Sequence, residues 1–163
     1  MKVGFEMENE RKTLTLPPCL EFPTNFKREK VKHELEVLPN WLVICDITII
    51  NPFNDKERVS CKALIDTGAE GSILCNSLFN QFKTIDESKK FNYGLSTLNK
   101  DSQSFVYPFI LEIPTGNWSK NSTCMIIMDL TVREEYDAIL GMDILRNFDL
   151  IVKGSQKLAY LLE

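Results

Sequence analysis

The residues best suited to chemistry lie in one segment, Cys61-Lys-Ala-Leu-Ile-Asp-Thr-Gly-Ala-Glu-Gly-Ser-Ile-Leu. Three apolar residues, 63–65, bring the carboxylate of Asp66 to the end of a predicted buried strand. An ionised carboxylate taken out of water is unfavourable unless it accepts hydrogen bonds or shares a proton with another acid. Carboxylates in such positions are found most often at functional sites, so Asp66 marks a candidate site.

The residues after Asp66 suit a small, tight loop. Gly68 has no Cβ, so its backbone can approach a ligand closely, and Ala69 keeps the floor of the site small. Thr67 and Ser72 add hydroxyls that can donate and accept hydrogen bonds. Asp, Thr and Gly are also common in ordinary turns, so the tripeptide alone is moderate evidence for a site and is also compatible with a plain turn.

Other catalytic chemistries lack the residues they need. The sequence has one histidine, His33, which lies in a charged stretch and is predicted to be solvated. A Ser-His-Asp triad, a histidine zinc site or a cysteine activated by histidine therefore has no base or ligand in the predicted β domain. The phosphate-binding glycine patterns are absent, and we predict no cofactor and no metal. The cysteines form an odd set without a C-x-x-C pair and are predicted to be reduced and mostly buried: Cys19, Cys45, Cys61, Cys75 and Cys124.

Short apolar runs separated by turn residues begin at Trp41 and predict an all-β domain with one short late helix. The helix is predicted between Gly141 and Asn147, from the spacing of Met142, Leu145 and Phe148. Residues 72–79 predict an extended piece or a single turn. The predicted strands are 41–50 and 58–65 as a hairpin, 91–98 and 104–113 as a second hairpin, 125–131, 138–140, and 150–152 with 158–162 as a closing hairpin.

Residues 1–38 differ from residues 39–163, which we predict to be the folded domain. The first segment is charged and interrupted by prolines, and residues 26–38 are compatible with a short charged helix or a solvated arm. The net charge of −4 argues against sequence-independent nucleic-acid binding. No apolar stretch approaches the roughly 18 residues that span a bilayer, and the acidic start lacks a signal-peptide core, so a cytoplasmic protein is predicted.

A second segment, Tyr136-Asp-Ala-Ile-Leu-Gly-Met-Asp-Ile-Leu-Arg-Asn-Phe, combines an apolar strand, a glycine and a short helix. Together, the two segments make residues 38–162 resemble the retropepsin-like aspartic proteases. The resemblance rests on Ala63-Leu-Ile-Asp-Thr-Gly-Ala-Glu-Gly-Ser and Ala138-Ile-Leu-Gly-Met-Asp-Ile-Leu. It implies a closed β-barrel with a flap hairpin that covers the substrate.

The resemblance also assigns roles to individual residues. Asp66 would be the catalytic aspartate, Thr67 would brace the paired loops across a dimer axis, and Gly68 and Ala69 would support the loop. Glu70 replaces an aspartate that many viral members use to bind the substrate main chain. The substrate-binding residues implied by the resemblance are Gly68, Glu70, Gly94, Leu95, Ser96 and Ile139.

Two features depart from the pattern of the viral enzymes. The best match for the flap, residues 91–106, has only Gly94 and the polar turn Asn99-Lys100-Asp101-Ser102, which also suits an ordinary exposed hairpin. Met142 stands where many viral members have an arginine that pairs with the acid of the catalytic loop. Since Met142 cannot form that ion pair, this loop needs another means of support.

Peptide hydrolysis in this class requires two carboxyl groups facing one water molecule, and this chain has one Asp-Thr-Gly loop. We therefore predict a twofold homodimer that cleaves peptides without nucleic-acid or membrane partners. By resemblance, residues 157–162 and a segment before Trp41 would form the dimer interface. The alternative is a catalytically inactive dimeric scaffold that binds peptides or partner proteins, and the intact Asp66, Thr67 and Gly68 favour the protease.

Overall fold

The computed structural model describes residues 30–92, 104–115, 118–130 and 135–163, and strands dominate these ranges. No helix in them is long and apolar enough to cross a membrane. Two 3-10 turns occupy Glu87–Lys89 and Gly154–Gln156. The strands are β1 (Lys32–Val37), β2 (Val43–Asn51), β3 (Asn54–Ile65), β4 (Ile73–Cys75), β5 (Phe91–Asn92), β6 (Phe105–Ile113), β7 (Trp118–Met128), β8 (Ala138–Leu140), β9 (Asp149–Lys153) and β10 (Leu158–Leu162); the helices are α1 (Asn76–Phe79) and α2 (Met142–Leu145).

Six of the described strands form a closed barrel in the order β2-β3-β8-β4-β7-β6, which closes because β6 also pairs with β2. Alternate side chains of each strand point into the barrel, as the period of two in a strand requires. In β6, for example, Tyr107, Phe109, Leu111 and Ile113 are fully buried. The prediction of a closed, all-β barrel is confirmed.

Most predicted elements occur close to their predicted positions. The first hairpin is β2–β3, the closing hairpin is β9–β10, and β8 and α2 lie where the second segment predicts a strand and a helix. Residues 72–79 contain both alternatives, β4 followed by the single turn α1. β7 begins at Trp118 rather than at residue 125, because its first half also pairs with β6. That half is polar and largely exposed, so it lacks the apolar run that predicts a strand.

The base of the predicted flap is an antiparallel strand pair. Phe91 pairs with Val106 and Asn92 pairs with Phe105, so β5 and β6 approach each other as the two arms of the flap would. The predicted flap residues Gly94, Leu95 and Ser96, and the turn at 99–102, lie outside the described residues.

The charged segment before residue 39 contributes a strand to the sheet. β1 pairs with β10 over Lys32–Leu35 and with β2 at Glu36 and Val37, so the sheet begins before the predicted domain boundary. The predicted helix or solvated arm is therefore wrong for residues 32–37. The charged side chains of this strand alternate with inward-facing ones and remain exposed, which lets a charged sequence pair as a strand.

His33 is fully buried, so the prediction of a solvated histidine is also wrong. Its ring packs edge-on against Phe148, with 5.5 Å between ring centroids. Nδ1 contacts the carbonyl oxygen of Thr115, and Nε2 lies 2.9 Å from a carboxylate oxygen of Glu163. Thr115 offers a carbonyl oxygen and Glu163 a carboxylate oxygen, so both ring nitrogens of His33 face a hydrogen-bond acceptor.

Candidate active site

Asp66 lies where β3 leaves the barrel. β3 runs parallel to β8, with Leu64 opposite Ile139 and Ile65 opposite Leu140. The Asp66 N–H donates to the carbonyl oxygen of Leu140 at 3.1 Å, so the pairing with β8 continues one residue beyond the strand. This fixes the backbone of Asp66 at the rim of the barrel, where its side chain is half-buried.

Residues 66–72, which we call the catalytic loop, begin with a tight turn closed by Asp66. The Gly68 N–H donates to Asp66 Oδ1 at 2.9 Å, and the Ala69 N–H donates to the Asp66 carbonyl oxygen at 3.2 Å. A Cβ at Gly68 would lie 3.2 Å from Asp66 Oδ1, closer than an ordinary contact. Thr67 and Gly68 are exposed, so another molecule can reach this part of the loop.

The rest of the catalytic loop is held by the start of α2. The Met142 N–H donates to the Ala69 carbonyl oxygen at 2.8 Å, and the Asp143 N–H donates to the Glu70 carbonyl oxygen at 3.1 Å. The fully buried Ser72 donates from Oγ to Asp143 Oδ1 at 2.7 Å and accepts from the Gly141 N–H at 3.1 Å. The two segments that carry the resemblance therefore meet in space.

These main-chain bonds support the loop at the position where Met142 cannot form an ion pair. The side chains of Met142 and Glu70 are both exposed, and the loop is joined to α2 through backbone groups and the Ser72–Asp143 contact. Asp143 is absent from the residues predicted from the sequence. Its signal is an acidic residue in the first turn of a helix, where a carboxylate accepts backbone N–H groups, and here it accepts from Ile144 at 3.0 Å.

Ile139 lies on β8, beside the strand that leads into the catalytic loop. It faces Leu64 on β3 and Ile73 on β4, and all three are half-buried while their strand neighbours point into the core. Ile139 is therefore on the outer face of the barrel, two residues before Gly141. Its predicted role in substrate binding stays a prediction.

Cysteine chemistry is disfavoured near Asp66. Burial, helped by the charges of Asp137 and Asp46, raises the pKa of the Cys61 thiol to about 12, and burial likewise raises the pKa of Cys45 to about 12. Since the thiolate is the nucleophile, neither cysteine is activated at neutral pH. In the ranges that the structure describes, no group of three or more His, Cys, Asp or Glu side chains could hold a metal ion.

Neither a protein-family profile nor a curated protein matches the chain, but solved structures do. A retropepsin-like aspartic protease from Rickettsia conorii superposes with a TM-score of 0.58 at 14% identity, covering 82% of this chain and 92% of that one. The EIAV protease in complex with an inhibitor gives a TM-score of 0.44 at 25% identity, covering 64% and 85%. The retroviral protease-like domain of Ddi1 from Leishmania major gives 0.44 at 12% identity, covering 74% and 94%.

The likeness to the Rickettsia structure extends over most of both chains and concerns the fold. It agrees with the all-β fold and the closed six-stranded barrel described above. The chain therefore has the fold of the retropepsin-like aspartic proteases, as the Asp-Thr-Gly and Leu-Gly-Met-Asp segments predict.

Proposed function

We propose that this protein is an aspartic endopeptidase that acts as a homodimer, with Asp66 of each copy forming the catalytic pair. The observation that supports it best is the position of Asp66. It lies on a partly exposed rim, with its backbone fixed by β8 and one carboxylate oxygen held by the Gly68 N–H. The proposal assigns the other carboxylate oxygen to contact with water and substrate.

The proposed reaction is general acid–base hydrolysis of a peptide bond. One Asp66 carboxylate takes a proton from a water molecule, whose oxygen attacks the peptide carbonyl carbon, while the other, protonated Asp66 donates to the carbonyl oxygen. The tetrahedral intermediate then collapses as the C–N bond breaks. The leaving nitrogen takes the proton that the first Asp66 removed from water, and the second Asp66 recovers its proton from the hydroxyl that becomes the carbonyl of the product acid, so the pair again holds one proton. Two carboxyl groups that face one water molecule cannot both ionise easily, so the pair shares one proton before the water attacks the peptide carbonyl carbon.

The second carboxyl must come from another copy, because the sequence has a single Asp-Thr-Gly segment. The exposed Thr67 is proposed to brace the two loops across the twofold axis, with Ala69 supporting each loop. The substrate is proposed to bind as an extended strand beneath the flaps. The proposed substrate contacts are Gly68, Glu70, Gly94, Leu95, Ser96 and Ile139.

The test is cleavage of a mixed peptide library by the full-length protein between about pH 4 and 7, compared with Asp66→Asn. The asparagine keeps an oxygen that can accept from the Gly68 N–H, so the loop should retain its shape. We expect the wild type to cleave and the variant to lose activity by about a hundredfold or more, measured by mass spectrometry of the products. Equal cleavage by both proteins would exclude Asp66 as the catalytic group.

The dimer is tested in the same assay by dilution and mixing. Activity should fall faster than linearly on dilution, and excess Asp66→Asn protein should inhibit the wild type by forming mixed dimers with one competent carboxyl. Two proteins that dimerise normally while neither cleaves would instead support the peptide-binding scaffold.

A further inference from the structure

Trp41 lies in the turn between β1 and β2 and has an unusual backbone conformation. Its φ of 67° is in the left-handed region, which is strained for a bulky residue. The Trp41 N–H donates to the Leu38 carbonyl oxygen at 2.9 Å, and the Leu38 N–H donates to the Leu42 carbonyl oxygen at 2.9 Å. These bonds hold a side chain that is 56% exposed. Strained backbone is found most often where it serves a function, so this turn is a candidate for one.

The indole of Trp41 lies against the turn that joins β9 and β10. A Cβ on Gly154 would be 3.9 Å from the indole, and Lys157 Nζ is 5.7 Å from the centre of its ring. Lys157 also has a left-handed backbone, with a φ of 49°. Of the three non-glycine residues with positive φ in the described ranges, two therefore meet in this one contact.

The surface around this contact is apolar and basic. We call Trp41, Lys153, Lys157 and Leu158 the tryptophan surface. Leu158 is 52% exposed and is paired directly with the exposed Lys153 across β9 and β10. Since β10 lies between β1 and β9 in the sheet, another molecule would bind here to the face of β10 and not to its edge.

The chemistry of this surface suits an acidic segment that also carries apolar side chains. In the part of the chain that the structure describes, neither Lys153 nor Lys157 forms an ion pair with a carboxylate. Carboxylates would neutralise the two ammonium groups, and apolar side chains would cover the indole of Trp41 and Leu158. A second copy fits poorly, because a twofold contact through this surface would bring four lysines together.

The chain itself contains a segment of this kind. Residues 5–10 are Phe-Glu-Met-Glu-Asn-Glu, three glutamates with two large apolar residues between and before them. They lie outside the described ranges, which begin at Lys30, and Lys30 Nζ is 2.8 Å from Asp149.

The length of the intervening chain allows these residues to reach the tryptophan surface. Asp149 and Lys153 are the two ends of β9, and four residues of a strand span roughly 13 Å. Residues 11–29 span on the order of 60 Å when fully extended. Reach therefore does not limit the contact.

We propose that residues 5–10 bind the tryptophan surface of the same chain, with their glutamates at Lys153 and Lys157 and their apolar side chains at Trp41 and Leu158. Because segment and surface belong to one chain, the effective concentration of the segment is high, and a weak contact is enough to keep the surface occupied. The contact is independent of the proposed function, because none of these residues belongs to the catalytic loop.

The test measures the accessibility of Trp41 in the full-length protein by acrylamide quenching of its fluorescence. The chain has two tryptophans, so Trp118 is replaced by phenylalanine in every sample and the emission then reports Trp41 alone. Phenylalanine keeps an aromatic ring against Phe148, which Trp118 contacts with 4.9 Å between ring centroids. The protein with this one change is the reference.

Charge inversion on either side should expose the indole. The triple variant Glu6→Lys, Glu8→Lys, Glu10→Lys and the double variant Lys153→Glu, Lys157→Glu should each raise the quenching constant about twofold or more at low salt. The variant with all five changes should return to the reference value, because the charges are again opposite. The triple variant leaves every described strand unchanged, so it tests the contact even if the double variant folds poorly.

An equimolar mixture of the triple and double variants separates a contact within one chain from a contact between copies. In the mixture, opposite charges are found only on different chains, so both proteins should stay accessible to acrylamide. Protection in the mixture would assign the surface to a segment of a second copy and would overturn the proposal.

The matched control is Glu21→Lys with Glu29→Lys, which inverts two glutamates that also precede the described ranges but lie outside residues 5–10. This variant should be quenched like the reference. The proposal is also overturned if the triple variant is quenched like the reference, which would leave the surface open to another acidic partner. It is likewise overturned if the variant with five changes is as accessible as the triple variant.

Discussion

Gly141 lies directly against the backbone of the catalytic loop. A Cβ on this residue would come within 2.7 Å of the carbonyl carbon and oxygen of Gly71 and within 2.8 Å of the Ala69 carbonyl oxygen. Real Cβ atoms do not approach backbone so closely, so either the loop or α2 would have to move. At the scale of single residues, the absence of one side chain is what lets the two segments meet.

Replacing Gly141 with alanine should therefore destabilise the protein and misplace Asp66. We expect Gly141→Ala to lower the free energy of unfolding by about 1–3 kcal/mol in urea titrations, and to reduce any peptidase activity more than stability alone explains. Gly154→Ala is the matched control, because the nearest atom to its Cβ would be on Trp41 at 3.9 Å, an ordinary contact. Equal stability of both variants would contradict the close approach at Gly141.

The sequence identifies the two segments that meet here, but it does not predict which of their residues are in contact. Asp66 and the Leu-Gly-Met-Asp segment are recognisable because their residue types and order are specific. The Ser72–Asp143 hydrogen bond joins residues 71 positions apart, and the acidic first turn of α2, which is the local signal for Asp143, does not indicate that Ser72 is its partner. Only the parallel pairing of β3 with β8 brings the two together.

Glu57 holds the β2–β3 hairpin to the chain after α1. Its carboxylate accepts from the side-chain amide of Asn51 at 2.9 Å, and from the N–H groups of Lys83 and Thr84 at 3.1 and 3.0 Å. These hydrogen bonds, led by that of Asn51, lower the pKa of Glu57 against a smaller opposing effect of desolvation. Since the folded pKa lies below the unfolded one, the stabilisation is present above the unfolded pKa and is lost as the pH falls through the folded pKa.

Replacing Glu57 with glutamine should remove this pH dependence. The wild type should melt at a higher temperature than Glu57→Gln near pH 7, and the difference should shrink as the pH is lowered, because the wild-type carboxylate becomes protonated. Thermal denaturation over a series of buffers measures it. Glu34→Gln, on a side chain that is 76% exposed, is the control and should show a small difference at every pH. A Glu57→Gln difference that stays constant or grows in acid would refute the role of the charge.

Strands made of apolar runs between turn residues are predictable from the sequence, whereas a strand rich in charged residues is not. The hairpin β2–β3 and the strand β8 follow from apolar runs bounded by turn residues. The strand β1 escapes prediction because Lys32, Glu34 and Glu36 resemble a solvated charge cluster, although His33, Leu35 and Val37 between them follow a period of two. What makes β1 a strand is a pairing partner, β10, more than a hundred positions away in the chain.

At the scale of the whole molecule, His33 connects three distant parts of the chain. It contacts Thr115 after β6, Phe148 before β9 and Glu163 after β10. His33→Phe keeps an aromatic ring against Phe148 but removes both ring nitrogens. We expect it to lower the free energy of unfolding by about 1–3 kcal/mol, measured by urea denaturation.

The control for this change is Lys32→Gln on the outward face of the same strand. Lys32 is exposed and contacts Glu34 and the ring of Tyr160, so its loss should change stability by less than about 1 kcal/mol. If His33→Phe were no less stable than Lys32→Gln, the ring nitrogens would contribute nothing to holding these segments together.

The long separation of the paired segments has a consequence for how the protein is made. Ser72 accepts a hydrogen bond from Gly141, which lies 69 residues later in the chain, and His33 contacts Glu163, which lies 130 residues later. Contacts this distant in sequence give a high contact order, which makes folding slow. During synthesis the Asp66 loop emerges from the ribosome long before the residues that hold it. A nascent chain therefore carries an unassembled loop, and the site can form only when almost the whole domain has been translated.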